Sequence, residues 1–158
     1  MSRPITALLV ADHERVRTLL VKARAGERAA YDEVRAVLLR HIALEEKILL
    51  PALRARHADV TALAEQLRID HAALAALLVP PPAPELVAMI EALLALHDPL
   101  EEDPGGLYAR ADELCGPEVI EALERYPAPP LARHFDGPRA YAAIDRLVGR
   151  ARASRGLP

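Results

Sequence analysis

Apolar residues recur every three or four positions through most of the chain, the spacing of helices that bury one face. From about Pro4 to Ala25 the stripe is Ile5, Leu8, Leu9, Val16, Leu20 and Ala23, and Gly26 supplies a C-terminal stop. From about Arg28 to Leu50 it is Val34, Val37, Leu38, Leu44, Ile48 and Leu49, with Pro51 expected to end or kink the helix. A third helix is expected from about Ala58 to Leu78, carrying Val60, Leu63, Leu67, Leu74 and Leu78, and a proline run beginning at Pro80 closes it. A fourth starts near Glu85 with Leu86, Met89, Ile90, Leu93 and Leu94. Asp103-Pro104-Gly105-Gly106 interrupts it, and helix resumes from Leu107 to Cys115. Beyond Gly116 come a short helix from Pro117 to Arg125, a Pro-rich turn and a last helix from about Pro138 to Arg152. The pattern predicts an all-α protein: an up-down-up-down four-helix bundle over residues 1–115, with a helical extension over 116–158 packed on it. The extension is expected to cover one end or one groove, so that its removal after Tyr126 leaves the bundle's chemistry intact.

Composition sharpens this. Of 158 residues, 31 are Ala and 26 are Leu, the strongest helix formers, whereas aromatics make up 3%. That balance disfavours a β-sandwich or barrel and leaves few platforms for stacking bases. The formal net charge is −3, and only Lys22 and Lys47 among the 20 basic residues are lysines. No basic footprint for nucleic acid or a membrane surface results. Six Arg against two Asp after Pro130 read as a solvated last helix. The apolar run before Asp12 is too short for a signal peptide, and nothing approaches a membrane span. One cysteine, Cys115, excludes an internal disulfide. A cytoplasmic protein is expected, and its Ala- and Leu-rich surface allows a dimer.

Some polar residues fall on the apolar stripes. Stepping by three or four from Leu9 reaches His13; from Leu38, His41 and then Glu45; from Leu67, His71; from Leu93, His97 and then Glu101. Four His and two Glu thus point towards the core. A buried carboxylate costs several kcal/mol unless it is paired or bound to a metal. The arrangement is also an internal repeat. Asp12-His13 and Asp70-His71 match, as do His41-x-x-x-Glu45 and His97-x-x-x-Glu101.

These residues are also level with one another. In antiparallel neighbours, two residues share a height when their mean position falls at the connecting turn. The means are 27 for His13 and His41, beside Gly26, and 84 for His71 and His97, at the proline turn. His71 and the middle of the His41–Glu45 pair average 57, in the break that starts after Arg54. All six residues converge on one layer about 14 residues, or ~20 Å, from the turns. Imidazoles with carboxylates suit iron, zinc or manganese, and six ligands exceed the four of a structural zinc. Two ions bridged by the two glutamates fit the repeat. Positions would remain for a bridging oxide or hydroxide and for a small ligand.

The pattern resembles the hemerythrin-like family, the HHE cation-binding domain, from about Ile5 to Leu114. The resemblance implies a non-heme di-iron centre, with zinc or manganese as alternatives, that binds or senses dioxygen, peroxide or nitric oxide. It implies His13, His41, His71 and His97 as terminal ligands and Glu45 and Glu101 as bridges. Two departures stand out. Ala75 takes the place, one turn after His71, where oxygen carriers have a further histidine. Pro99 lies inside the second His-x-x-x-Glu, where Asp98 can cap a fresh helix, which makes Glu102 the alternative bridge. The resemblance also leaves a di-iron oxidase or peroxidase and a zinc-binding structural or interaction domain as alternative functions. The absence of a nucleotide motif or a further general acid favours binding, sensing or storage.

Other residues are expected to be ordinary. His57 and His134 lie off the layer and read as solvent-exposed; Asp12 and Asp70 as surface or cross-helix ion-pair residues; Glu46 as solvated. Tyr31 and Tyr108 are within reach of the layer as hydrogen-bond partners or a fifth ligand, but read as packing residues. Cys115 reads as a buried, inert thiol.

Overall fold

The structure, a computed structural model, describes residues 4–158. Among the described residues all regular structure is helical, with no strand, and residues 126–137 form an extended connection. The helices are α1 (Ile5–Arg24), α2 (Arg28–Leu44), α3 (Leu50–Arg54), α4 (Thr61–Leu77), α5 (Pro84–Glu102), α6 (Leu107–Leu114), α7 (Pro117–Arg125) and α8 (Pro138–Ala153). A π-helical turn, Glu45–Leu49, joins α2 to α3, and a 3₁₀ turn, Ala58–Val60, leads into α4.

Two aliphatic cores lie on either side of the polar layer. One holds Val16, Leu20, Val34, Leu38, Leu74, Leu77, Ile90 and Leu93; the other holds Ile5, Leu9, Leu44, Leu49, Leu53, Leu67 and Leu107. Helix α1 passes from the second core to the first, α2 returns, α4 repeats the first direction and α5 the second. Successive long helices therefore alternate in direction. Each fully buried Leu contributes roughly 1.5–3 kcal/mol, and this burial offsets the cost of the polar layer between the two cores.

Proline acts differently from the sequence expectation in two places. Pro51 does not end the helical path at Leu50: the chain stays helical to Arg54. The wide turn directly before Pro51 takes up the defect, with the Leu50 amide donating five residues back to the Glu45 carbonyl. The extra residue rotates the buried stripe so that Leu49, Leu50 and Leu53 all face inward. Pro99 likewise starts no new helix; α5 runs unbroken past it to Glu102. Proline removes one N–H and crowds one turn, and here packing on α1, α4 and α6 holds the turn regardless.

The last segments close the second core and one flank. The Asp112 carboxylate on α6 accepts the Ile5 amide at 2.6 Å, supplying a partner to an orphan donor of the first turn of α1. Arg40 on α2 donates to the Tyr126 carbonyl at 3.0 Å at the end of α7. Helix α8 lies against α4, burying Ile144 and Ala151. No described helix is long and apolar enough to cross a membrane.

Candidate metal centre

The spacing of four along a helix puts His41 and Glu45 on one face of α2, and His97 and Glu101 on one face of α5. Helices α1 and α4 bring His13 and His71 to the same height. All six side chains are buried, with Glu45 and Glu101 fully so.

Each glutamate divides its two oxygens between two clusters. Glu45 Oε1 lies 3.2 Å from His41 Nε2, while its Oε2 lies 3.1 Å from His71 Nε2. Glu101 Oε2 lies 3.3 Å from His13 Nε2, while its Oε1 lies 3.2 Å from His97 Nε2. The first half-site therefore gathers His13, His41 and one oxygen of each glutamate. The second gathers His71, His97 and the remaining two oxygens. Three groupings have donor atoms close enough to hold one cation: Glu45, His71, His97 and Glu101; His13, His41 and Glu101; and, on the outer side of His13, His13, Asp98 and Glu102.

A ring of outer carboxylates aims the imidazoles. Asp12 on α1 lies 3.3 Å from His41 Nδ1 on α2, and Glu46 in the π turn lies 2.8 Å from His71 Nδ1 on α4. Asp70 on α4 lies 3.2 Å from His97 Nδ1 on α5, and Glu102 on α5 lies 2.5 Å from His13 Nδ1 on α1. Each helix thus orients the histidine of the next, around a closed circuit. Every Nδ1–H donates outward, so every Nε2 faces the centre, where it carries either a proton or an ion. Asp12 and Asp70 form the cross-helix pairs that the sequence allowed, and Asp70 is fully buried. Glu46, expected to be solvated, is instead half-buried against His71. Glu102 serves His13 from outside, while Glu101 occupies the interior.

Tyr108 is the functional residue that sequence reasoning underrated. Its hydroxyl lies 2.7 Å from Glu45 Oε1 and 2.8 Å from Glu101 Oε2, within donating distance of both. The Nε2 atoms of His13 and His41 are each 3.1 Å away. The tight turn after α5 makes this reach possible. A Cβ on Gly106 would sit 2.8 Å from the Glu101 carbonyl oxygen, so only glycine lets α6 fold back so closely. A signal was available: Glu101 stands at the end of its helix, so the first turn of the next must abut the layer. Tyr31 is a packing residue as expected, fully buried with its hydroxyl 3.5 Å from the Leu77 carbonyl. His57 and His134 stay out of the layer, but both are half-buried; His134 Nδ1 donates to the Pro80 carbonyl. Cys115 is half-buried, and its burial pushes the thiol pKa up, away from reactivity.

The electrostatics are those of a site that demands positive charge. Burial opposes charging His41, but Glu45 and Asp12 outweigh it and lift its pKa to about 10. Burial likewise opposes His97, yet Glu101 and Asp70 lift it to about 9. Burial would raise Glu101, and its histidine partners hold it well below the carboxylate range instead. A histidine raised in this way stabilises the fold fully below its unfolded pKa of ~6.5 and loses that contribution as pH rises through the folded value. A lowered carboxylate stabilises above ~4.5 and loses its contribution as pH falls through the folded value. The ion-free chain is therefore expected to be most stable between about pH 4.5 and 6.5 and to weaken steadily towards pH 10. Urea unfolding in the presence of a chelator across that range checks this.

Protons alone leave the centre incomplete. Glu45 Oε2, His71 Nε2 and Glu101 Oε1 are buried and have no hydrogen-bond partner, although they face one another. Two carboxylate oxygens and an imidazole nitrogen that converge with no hydrogen bond among them fit a cation, and the imidazole and carboxylate set suits a divalent transition metal.

An alternating helical fold with a buried imidazole–carboxylate cluster defines the class: a helical cation-binding protein. The family model described as the hemerythrin HHE cation binding domain matches residues 5–103. The chain belongs to that family. No curated protein and no solved structure matches it. Tyr108 and α8 lie beyond the matched residues.

Proposed function

We propose that the alternating helices form a four-helix bundle holding two non-heme iron ions, and that the protein binds or senses dioxygen or a related small ligand such as peroxide or nitric oxide. The observation that carries this reading is the division of both glutamates, each turning one oxygen to His13 and His41 and the other to His71 and His97. Such a division suits two cations sharing two bridges. His13, His41, His71 and His97 would be the terminal ligands, Glu45 and Glu101 the bridges, and Tyr108 a further oxygen donor on the His13 side. When bound, an iron pair supplies electrons that can be exchanged with a small ligand.

The chain's own residues do the rest. The outer carboxylates hold each imidazole in one tautomer and orientation. The aliphatic cores on both sides limit water. Tyr108 keeps a proton beside both carboxylates, its pKa raised well above 10 by burial and by Glu45 and Glu101. Anaerobic loading with ferrous ion followed by air is expected to leave two irons per chain and a new visible absorption band. A protein that retains only zinc, and no iron under these conditions, contradicts the reading. Catalytic consumption of peroxide would instead assign the oxidase or peroxidase alternative.

A further inference from the structure

We propose that Arg155, just beyond α8, is a positioning residue that acts through Asp70 on His97 and sets the affinity of the half-site formed by His71 and His97. The inference rests on the metal-binding reading above. Arg155 grips Asp70 with both ends of its guanidinium: Nη1 is 2.7 Å from Oδ1 and Nη2 is 2.6 Å from Oδ2. Asp70 Oδ2 in turn accepts from His97 Nδ1 at 3.2 Å. Asp70 is fully buried, so its charge needs a partner.

The arginines of the other outer carboxylates are looser. Arg17 beside Glu102 and Arg68 beside Glu46 have side chains 43% and 56% exposed, against 15% for Arg155. Arg155 is also fixed from behind. Gly156 has φ +68, donates to the Ala153 carbonyl at 3.0 Å, and lets Leu157 donate to the Arg152 carbonyl at 3.0 Å. That double bond pattern locks the helix end. Gln66 completes the clasp, donating to Asp70 Oδ1 at 3.1 Å and to Ser154 Oγ at 2.9 Å. Segment 116–158 is therefore more than a cover, and its removal is expected to reach the site, contrary to the expectation from sequence.

Without Arg155 the Asp70 carboxylate loses its bidentate partner, and His97 loses a fixed acceptor. Loss of such an orienting contact weakens metal binding ~10- to 100-fold. The test is a zinc titration of the full chain against a chromophoric chelator, resolving two binding steps. Arg155→Ala is expected to weaken one step by ~10- to 100-fold and leave the other unchanged, and Arg155→Lys is expected to restore part of the loss. Ile144→Ala removes buried apolar contact from α8 without touching the clasp; it is expected to lower the melting temperature and keep both affinities. Unchanged affinities in Arg155→Ala, equal weakening of both steps, or an equal loss in Ile144→Ala would overturn the inference while leaving the two-ion reading in place. Failure of the unaltered chain to bind zinc would overturn both.

Discussion

Glu101→Ala is expected to abolish retention of both ions, while Glu102→Ala weakens one of them. Glu101 turns one oxygen to each half-site and is fully buried. Its removal would take a donor from each of the two proposed ion positions and leave His97 and His71 without their shared counter-charge. Glu102 touches the centre only through His13 Nδ1, at 2.5 Å, and is also held by Arg17. Its loss frees the orientation of one imidazole, an effect of ~10- to 100-fold on affinity. Metal content after desalting, measured side by side, separates the two. The reverse ranking would make Glu102 the bridge, which a helix broken at Pro99 would have allowed.

Tyr108→Phe is expected to destabilise the ion-free chain by ~1–3 kcal/mol although it changes no shape. The phenol lies within donating distance of both Glu45 and Glu101, at 2.7 and 2.8 Å, in a site closed to water. Phenylalanine fills the same space and leaves those two oxygens without that donor. Because the same hydroxyl lies 3.1 Å from both His13 and His41, the variant is also expected to alter the visible absorption of the iron-loaded protein. Urea unfolding with chelator present reads the first effect. Unchanged stability would mean that the hydroxyl is not the donor this geometry makes it.

Much of the helical fold was legible because aliphatic spacing is periodic and the breaks are marked by Gly26, the proline run at 80–84 and the turn at 103–106. The convergence of the four His and two Glu was legible from the stripe and from turn symmetry together. What was hidden depends on side-chain direction rather than on spacing. Asp12, Glu46, Asp70 and Glu102 each sit beside a core position, and from one helix alone such residues face outward. Only the neighbouring helix turns that outward face into an inter-helix contact, which is why Glu46 reads as solvated and is half-buried, and why the choice between surface and cross-helix pairing stays open for Asp70 until its neighbours are known. The continuity of helix through Pro51 and Pro99 was equally hidden. Intrinsic propensity disfavours both, and tertiary packing with one widened turn overrides it. Arg155 lies 85 residues from its partner Asp70, and no local pattern links them.

The central claim is that one buried layer holds two cations which share both glutamates. The most direct test is a crystal structure of the iron-loaded protein with anomalous scattering recorded at the iron edge. Two peaks are predicted, one between His13 and His41 and one between His71 and His97, each in contact with one oxygen of Glu45 and one of Glu101. A single peak, or two peaks that share neither glutamate, would contradict it.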